Sequence, residues 1–222
     1  MPRAEVAAAY DSRADEYVEK LGSVHQMADR DRLTLGEWRE STAGRLLDAG
    51  CGPRHWTELL SEHGRRVVVG IDGSTRFLES ARDRFPGNRF IAADLSALPV
   101  ASRCLGGILA WYSIIHTPPA ELPEVLDEFA RALGPGGSLL LGFFAGDPGV
   151  PFDHAVTTAY YWSAEALTDL LQPRGFLVEN SGTRRDPDAR RTHGELRASR
   201  TSTLSESRLL NSFASGPRRR TH

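Results

Sequence analysis

Three aspartates stand at matching places in the chain. Asp48, Asp72 and Asp94 each close a short apolar run: Leu46-Leu47, then Val67 to Ile71, then Phe90 to Ala93. A glycine turn, Gly50-Cys51-Gly52, follows the first of them. Glycine lets the backbone turn tightly and lets a ligand approach with no Cβ in its way. An acid ahead of such a turn repels a pyrophosphate and suits a cation, such as an amino-acid ammonium or a sulfonium. Asp72 comes 20 residues after Gly52. A carboxylate at that place accepts hydrogen bonds from the ribose hydroxyls of an adenosine. Asp94 could accept the adenine amino group, with the Leu95 backbone N–H meeting a ring nitrogen. One aspartate after a strand is ordinarily a helix cap. Three in succession around one glycine turn describe a pocket for an adenosine joined to a cationic amino acid.

The turn departs from the dinucleotide fingerprint. G-x-G-x-x-G would need glycine at position 55, where this chain has His55. That weighs against a nicotinamide-dependent oxidoreductase, which stays as the more distant alternative. Among possible proton acceptors, His116 follows the fourth apolar strand and is the candidate general base. Its plainer reading is a core or helix-start histidine. His154 lies in the Gly146 to Thr158 segment, a candidate for substrate contacts. Trp111 and Tyr112 either line the ligand pocket or pack the strand. Tyr160, Tyr161 and Trp162 either wall a substrate cavity or cover the sheet edge. Cys51 is a small turn residue. His25, His55 and His63 have no cysteine or acidic companions at metal spacing, so no metal is expected.

The elements that must position these groups alternate along the chain. Tyr10, Ala14, Tyr17, Val18 and Leu21 share one stripe of a first helix, Val6 to Leu21. A second helix is expected from Met27 to Glu40. Strands are expected at Arg45 to Ala49, Arg66 to Ile71, Arg89 to Ala92, Gly107 to Tyr112 and Ser138 to Phe144. A sixth begins at Gly175 to Glu179, and a weaker seventh lies around His193 to Ala198. Helices intervene around Trp56 to Leu60, after an N-cap at Ser74, and after a cap at Thr117 with Pro118 and Pro119 in its first turn. Another follows a cap at Ser163. Apolar strands alternating with helices mean a mostly parallel sheet covered on both faces. Such sheets bind ligands outside the carboxyl ends of their strands.

The chain has 222 residues, 40% of them hydrophobic and 25% charged, with a net charge of −2. Length and composition suit one globular domain, placed at 1–199 with lid helices in 1–44. Residues 184–222 hold ten arginines against four acids. Positions 200–222 read as a disordered basic tail. The near balance of charge disfavours a nucleic-acid partner. No apolar run is long enough to cross a membrane. Two cysteines make no disulfide lattice and suit reduced thiols in the cytoplasm.

The stretch from about Tyr10 to Ala145 resembles the class I S-adenosylmethionine-dependent methyltransferases of the broad small-molecule branch. Asp48-Ala49-Gly50-Cys51-Gly52 looks like that family's first motif, Gly70-Ile71-Asp72 the second and Ala93-Asp94-Leu95 the third. Leu133 to Gly137, followed by Leu139-Leu140-Leu141, looks like the turn and strand that close its core. Tyr10-Asp11 with Ala14 and Tyr17 resembles the helix that lids the cofactor. The chain departs at Arg54, where the family often has a third glycine, and at Gly106-Gly107, where an acid is common. The resemblance implies a Rossmann-like fold with a mostly parallel seven-stranded sheet, helices on both faces and N-terminal lid helices. It implies S-adenosylmethionine as cofactor, S-adenosylhomocysteine as product, and direct methyl displacement onto a small-molecule acceptor. Cofactor contacts are then expected from Tyr17, Asp48, Gly50, Gly52, Asp72, Asp94, Leu95 and Trp111. A non-catalytic adenosyl-binding scaffold is the second alternative.

Overall fold

The structure is a computed structural model that describes residues 3–14, 16, 28–53, 55–187 and 189–202. Its centre is a seven-stranded sheet. The strands are β1 (Leu46–Ala49), β2 (Val68–Asp72), β3 (Arg89–Ala92), β4 (Leu105–Trp111), β5 (Leu133–Ala145), β8 (Phe176–Arg184) and β9 (Thr192–Arg200). They lie in the order β3-β2-β1-β4-β5-β9-β8. The first five pair in parallel, and β9 runs against both β5 and β8. A separate antiparallel pair, β6 (Pro151–Asp153) and β7 (Thr158–Tyr160), follows β5.

The strand order reverses between β1 and β4, the place where open sheets of this kind part to admit a ligand. Leu46 pairs with Val68 on one side and Gly107 on the other, so β1 sits at the middle. Its four residues are all buried, which requires cover on both faces. Side chains alternate across a strand, and the strands sort accordingly. Leu46, Leu109 and Leu140 pack with Leu35 and Trp38 of α2 (Asp29–Ser41) and with Trp56 and Leu60 of α3 (His55–Ser61). Leu47, Ile108, Leu139 and Leu141 face the other way, onto α5 (Leu122–Ala132) and α6 (Ala164–Leu171). In α5, Leu122, Val125, Leu126 and Phe129 recur at helical spacing and are wholly buried. Each such side chain contributes about 1.5–3 kcal/mol by leaving water.

A buried bond locks α2 to the sheet. Trp38 Nε1 donates to Ser138 Oγ at 2.9 Å. Replacing Ser138 with alanine leaves a buried indole N–H unpaired and is expected to cost about 1–3 kcal/mol. Urea unfolding checks this: the midpoint should fall with an unchanged slope, and an unmoved midpoint would refute it. The loop after α2 also accounts for Gly106, where a Cβ would lie 1.8 Å from the Ala43 carbonyl oxygen. An acid has no room where the strand meets that loop.

Several elements match expectation. Ser74 caps α4 (Thr75–Arg84) by accepting from Phe77 N, and Ser163 caps α6 by accepting from Ala166 N. Others differ. Thr117 does not cap α5, which starts five residues later behind Glu121 with no side-chain cap. Thr117 instead closes a short 3-10 turn, Ile114–His116. The seventh strand is not weak: β9 runs nine residues and pairs along its length on both sides. Helix α1 covers Arg3–Asp11, beginning ahead of the expected Val6, and a turn at Ser12 and Arg13 separates it from helical Ala14 and Glu16. Tyr17, Val18 and Leu21 lie outside the described residues, as do Arg54 and the tail from position 203. Both cysteines are free thiols.

Candidate active site

The β1 turn and the β4 turn meet at the switch point. Gly50 has φ +75°, and a Cβ there would stand 2.2 Å from Ser113 Cβ. The N–H groups of Gly50 and Cys51 both donate to the Ile71 carbonyl, at 2.7 and 2.9 Å. Gly52 has φ +52°, and no atom of the described residues lies within 4 Å of where its Cβ would be. The first glycine therefore permits close packing, and the second leaves open space beside the turn.

The acids take different positions. Asp48 is 1% exposed and accepts from Thr57 Oγ1 at 2.6 Å. Burial pushes its carboxyl up to about 7, opposed by the Thr57 bond and aided by the nearby charge of Asp72. Asp72 accepts from Gly52 N through one oxygen and from Ser74 N through the other, each at 2.8 Å. One carboxylate thus pins the β1 turn and the start of α4. Burial raises its carboxyl above the usual range, against those backbone bonds. Asp94 is exposed and accepts from both Ser96 N and Ser96 Oγ. Leu95 beside it is half-buried against the core. Trp111 packs in the core on the α2 face, and its buried indole N–H has no hydrogen-bond partner among the described residues.

Helix α1 reaches across this end of the sheet. Asp11 accepts from Ser74 Oγ at 2.5 Å, and Tyr10 packs on Phe77 with ring centres 5.7 Å apart. The Tyr10 hydroxyl lies 2.8 Å from His116 Nε2. His116 Nδ1 lies 2.8 Å from the Thr158 carbonyl, so Nδ1–H donates there and Nε2 accepts from Tyr10. Burial lowers the His116 pKa, keeping the imidazole neutral with its basic nitrogen aimed at the α1 side. His116 is thus a neutral imidazole just past β4, joined to α1 through the Tyr10 hydroxyl.

The structure adds residues that the sequence reading passed over. Ser113 sets the space around Gly50, and Thr57 holds Asp48. Tyr112, already singled out with Trp111 from the sequence, lies 2.6 Å by its hydroxyl from His193 Nδ1 and has φ +56°. Burial holds that phenol protonated, so it donates to the imidazole. A helix N-cap at Ser163 and the bridge of Ala145 to Trp162 place the β6–β7 pair beside these groups. No group of His, Cys, Asp and Glu able to hold a metal occurs among the described residues. A cavity of about 620 Å³, lined by Arg103, Arg131, Arg174 and Arg200, lies at the opposite end of the sheet. Arg131 and Arg174 there are engaged with Glu128, Asp127 and backbone carbonyls, which marks the cluster as a closure of the fold.

A parallel sheet in this order, with a glycine turn at its switch point and an acid closing each of its first three turns, defines a class I methyltransferase fold. Residues 46–137 match the family model described as a methyltransferase domain. That match takes in strands β1 to β4, the glycine turn, Asp72 and Asp94. It is 34% identical over 136 residues to the malonyl-[acyl-carrier protein] O-methyltransferase of Salmonella typhimurium, covering 60% of this chain and 50% of that protein. The chain spans about half the length of the curated relatives it matches. Among solved structures it is similar to the Burkholderia thailandensis 1,6-didemethyltoxoflavin N1-methyltransferase, which holds its substrate and S-adenosylhomocysteine. That likeness has a TM-score of 0.70 and 22% identity, over 91% of this chain and 92% of the other. A [4+2]-cyclase shares the fold with a TM-score of 0.71 and 20% identity, over 90% of this chain and 97% of its own.

Proposed function

We propose that the chain binds S-adenosylmethionine at the β1–β4 switch point and transfers its methyl group to a small-molecule acceptor. The observation that carries this is the Gly50-Cys51-Gly52 turn, pinned by Asp72 and open beside Gly52. The residues present fit such a cofactor. Asp72 takes backbone N–H bonds from Gly52, Ser74 and Gly73, and of its roughly four lone-pair sites one stays for a ribose hydroxyl. Asp94 is exposed beside Leu95, where a carboxylate oxygen can accept from the adenine amino group. The Trp111 indole N–H is an unspent donor at the end of β4. Asp48 supplies negative charge beneath the turn. When bound, the cofactor supplies an electrophilic methyl carbon on a sulfonium.

The chain's own contribution is position and proton handling. Helix α1, tied down through Asp11 and Tyr10, covers the cradle and excludes water. His116 Nε2 can take the proton that a hydroxyl acceptor gives up, once the Tyr10 hydroxyl yields its place. Holding the partners in line contributes through proximity. The acceptor is a small molecule, and the reading needs neither nucleic acid nor a membrane. No helix among the described residues is long and apolar enough to cross a membrane. The free thiols fit a reducing compartment, and we place the protein in the cytoplasm.

Calorimetric titration with S-adenosylmethionine and S-adenosylhomocysteine tests the reading. Micromolar binding of both is expected. Asp72→Ala should weaken both at least tenfold, with a melting curve confirming that the variant is folded. Unchanged affinity would remove the ribose assignment, and no binding to the folded wild type would remove the cofactor. Because a cyclase shares the fold, turnover is a separate question. Binding of both ligands without methyl transfer across an acceptor panel would favour an adenosyl-binding scaffold.

A further inference from the structure

Beyond the cofactor cradle, the structure gathers rings from four separate segments of the chain. Phe144, near the end of β5, has its ring centre 5.4 Å from His193, 5.9 Å from His154 and 5.6 Å from Phe152. His154 in turn stands 5.1 Å from His116. The Arg191 guanidinium lies 4.3 Å over the Phe152 ring and 5.8 Å from the centre of Phe144. Two polar atoms in this cluster are buried with no hydrogen-bond partner among the described residues: His154 Nδ1 and Arg191 Nε. Buried polar atoms without partners are uncommon and call for an explanation. Here they border aromatic faces and sit one ring away from the proposed base.

Resting on the methyltransferase reading above, we propose that this cluster is the acceptor subsite and that it takes a planar aromatic compound bearing an acidic oxygen, a phenol or an aromatic carboxylate. Three observations converge on that class. The faces of Phe144 and Phe152 already carry a planar group, the guanidinium, and aromatic faces stack planar rings with a preferred geometry. Arg191 is the one fixed charge among these six side chains, so an anionic oxygen is attracted and an ammonium repelled. His154 Nδ1 and Arg191 Nε are polar atoms that an acidic oxygen can satisfy. Entry is feasible because Phe152 rides on the β6–β7 pair, a sheet of its own outside the main one. Parting that pair from Phe144 breaks no rung of the seven-stranded sheet, but it does break the Thr158 carbonyl's bond to His116 and the Arg191 donation to the Asp153 carbonyl. Burial keeps His154 neutral, down to about 4, and lowers His193 as well, so neither competes with Arg191 for the anion's charge near neutral pH.

The test is calorimetric titration of the full chain with 4-hydroxybenzoate, cyclohexanecarboxylate and tyramine, each with and without saturating S-adenosylhomocysteine. 4-Hydroxybenzoate should bind at least tenfold tighter than the other two. Phe152→Leu, which keeps apolar bulk and removes the ring face, should weaken it about tenfold, and Arg191→Met should do the same. Melting curves of both variants confirm folding. Equal binding of cyclohexanecarboxylate would overturn the aromatic part, and equal binding of tyramine the anionic part. Unchanged affinity in the two variants, or no binding of 4-hydroxybenzoate, would overturn the subsite. The two readings fail separately. S-adenosylhomocysteine binding without the aromatic probe sinks only the acceptor proposal, whereas the aromatic probe binding without S-adenosylhomocysteine sinks the methyltransferase reading.

Discussion

Alanine at Gly50 is expected to destabilise the fold by about 2–5 kcal/mol, whereas alanine at Gly52 costs it only about 1–2 kcal/mol and disables the cradle. Both glycines have positive φ, +75° and +52°. A left-handed conformation costs a non-glycine residue roughly 1–2 kcal/mol, and both substitutions bear that cost. They part on space. The new Cβ at position 50 would lie 2.2 Å from Ser113 Cβ and 3.5 Å from Ser113 Cα. The β1 and β4 turns must then separate, and overpacking of that kind adds about 1–3 kcal/mol. For a chain of this size the melting temperature should drop by roughly 4–20 °C. The new Cβ at position 52 meets no described atom within 4 Å. It points into the space assigned to the cofactor, so affinity for S-adenosylhomocysteine should fall at least tenfold, while the melting temperature drops by only roughly 2–8 °C. Ser113→Gly on the Gly50→Ala background provides the internal check. It removes the overlapping atom and should restore the overpacking part while leaving the left-handed cost. If the double variant melts with the single one, Ser113 is not what Gly50 makes room for.

That contrast bears on how much the sequence reveals. The glycine turn, Asp72 and the Ser74 cap are local patterns, and each appears in the fold at its expected place. The α5 stripe is equally local, and its four apolar residues are all buried. What escapes is whatever depends on pairing at a distance. Strand β9 turns only Gly194, Leu196 and Ala198 to the buried side, and two of those are too small to give an apolar signal. It is a strand because β5 and β8 bond to it from both sides. Thr117 has the right type for a cap, yet Ile114 and Ile115 just before it are buried almost completely. Burying them winds the chain into a 3-10 turn and delays the helix to Leu122. Tyr112 and His193 stand 81 residues apart. They meet because the sheet order sets β9 beside β5 and β5 beside β4, and no short motif encodes that neighbourhood. The acceptor cluster is of the same kind: its histidines come from a turn, a hairpin and a strand, each unremarkable alone.

The Asp48 carboxyl links stability to pH, and Asp48→Asn should remove that link. Its folded pKa of about 7 stands well above the usual carboxylate value. Between those two values the folded protein holds a proton that the unfolded chain has released. Its stabilising contribution is therefore complete below about pH 4 and is lost as pH rises through 7, by about 1.4 kcal/mol per unit. Asparagine cannot ionise. It also gives up one of the Thr57 bonds, but that offset does not change with pH. The difference in unfolding free energy between wild type and variant should consequently shift by about 3 kcal/mol from pH 5 to pH 8, in favour of the variant at the higher pH. Urea unfolding at four pH values measures it, and parallel curves would show that Asp48 does not titrate in this range. The same group couples to the ligand. A cation beneath the turn favours the ionised carboxylate. Binding of S-adenosylmethionine should then expel the proton, and affinity should decline towards tenfold per unit as pH falls below 7. In Asp48→Asn the affinity should be lower at pH 8 and flatter with pH. The charge that makes the empty cradle less stable is, on this account, the charge that makes it selective for a cation.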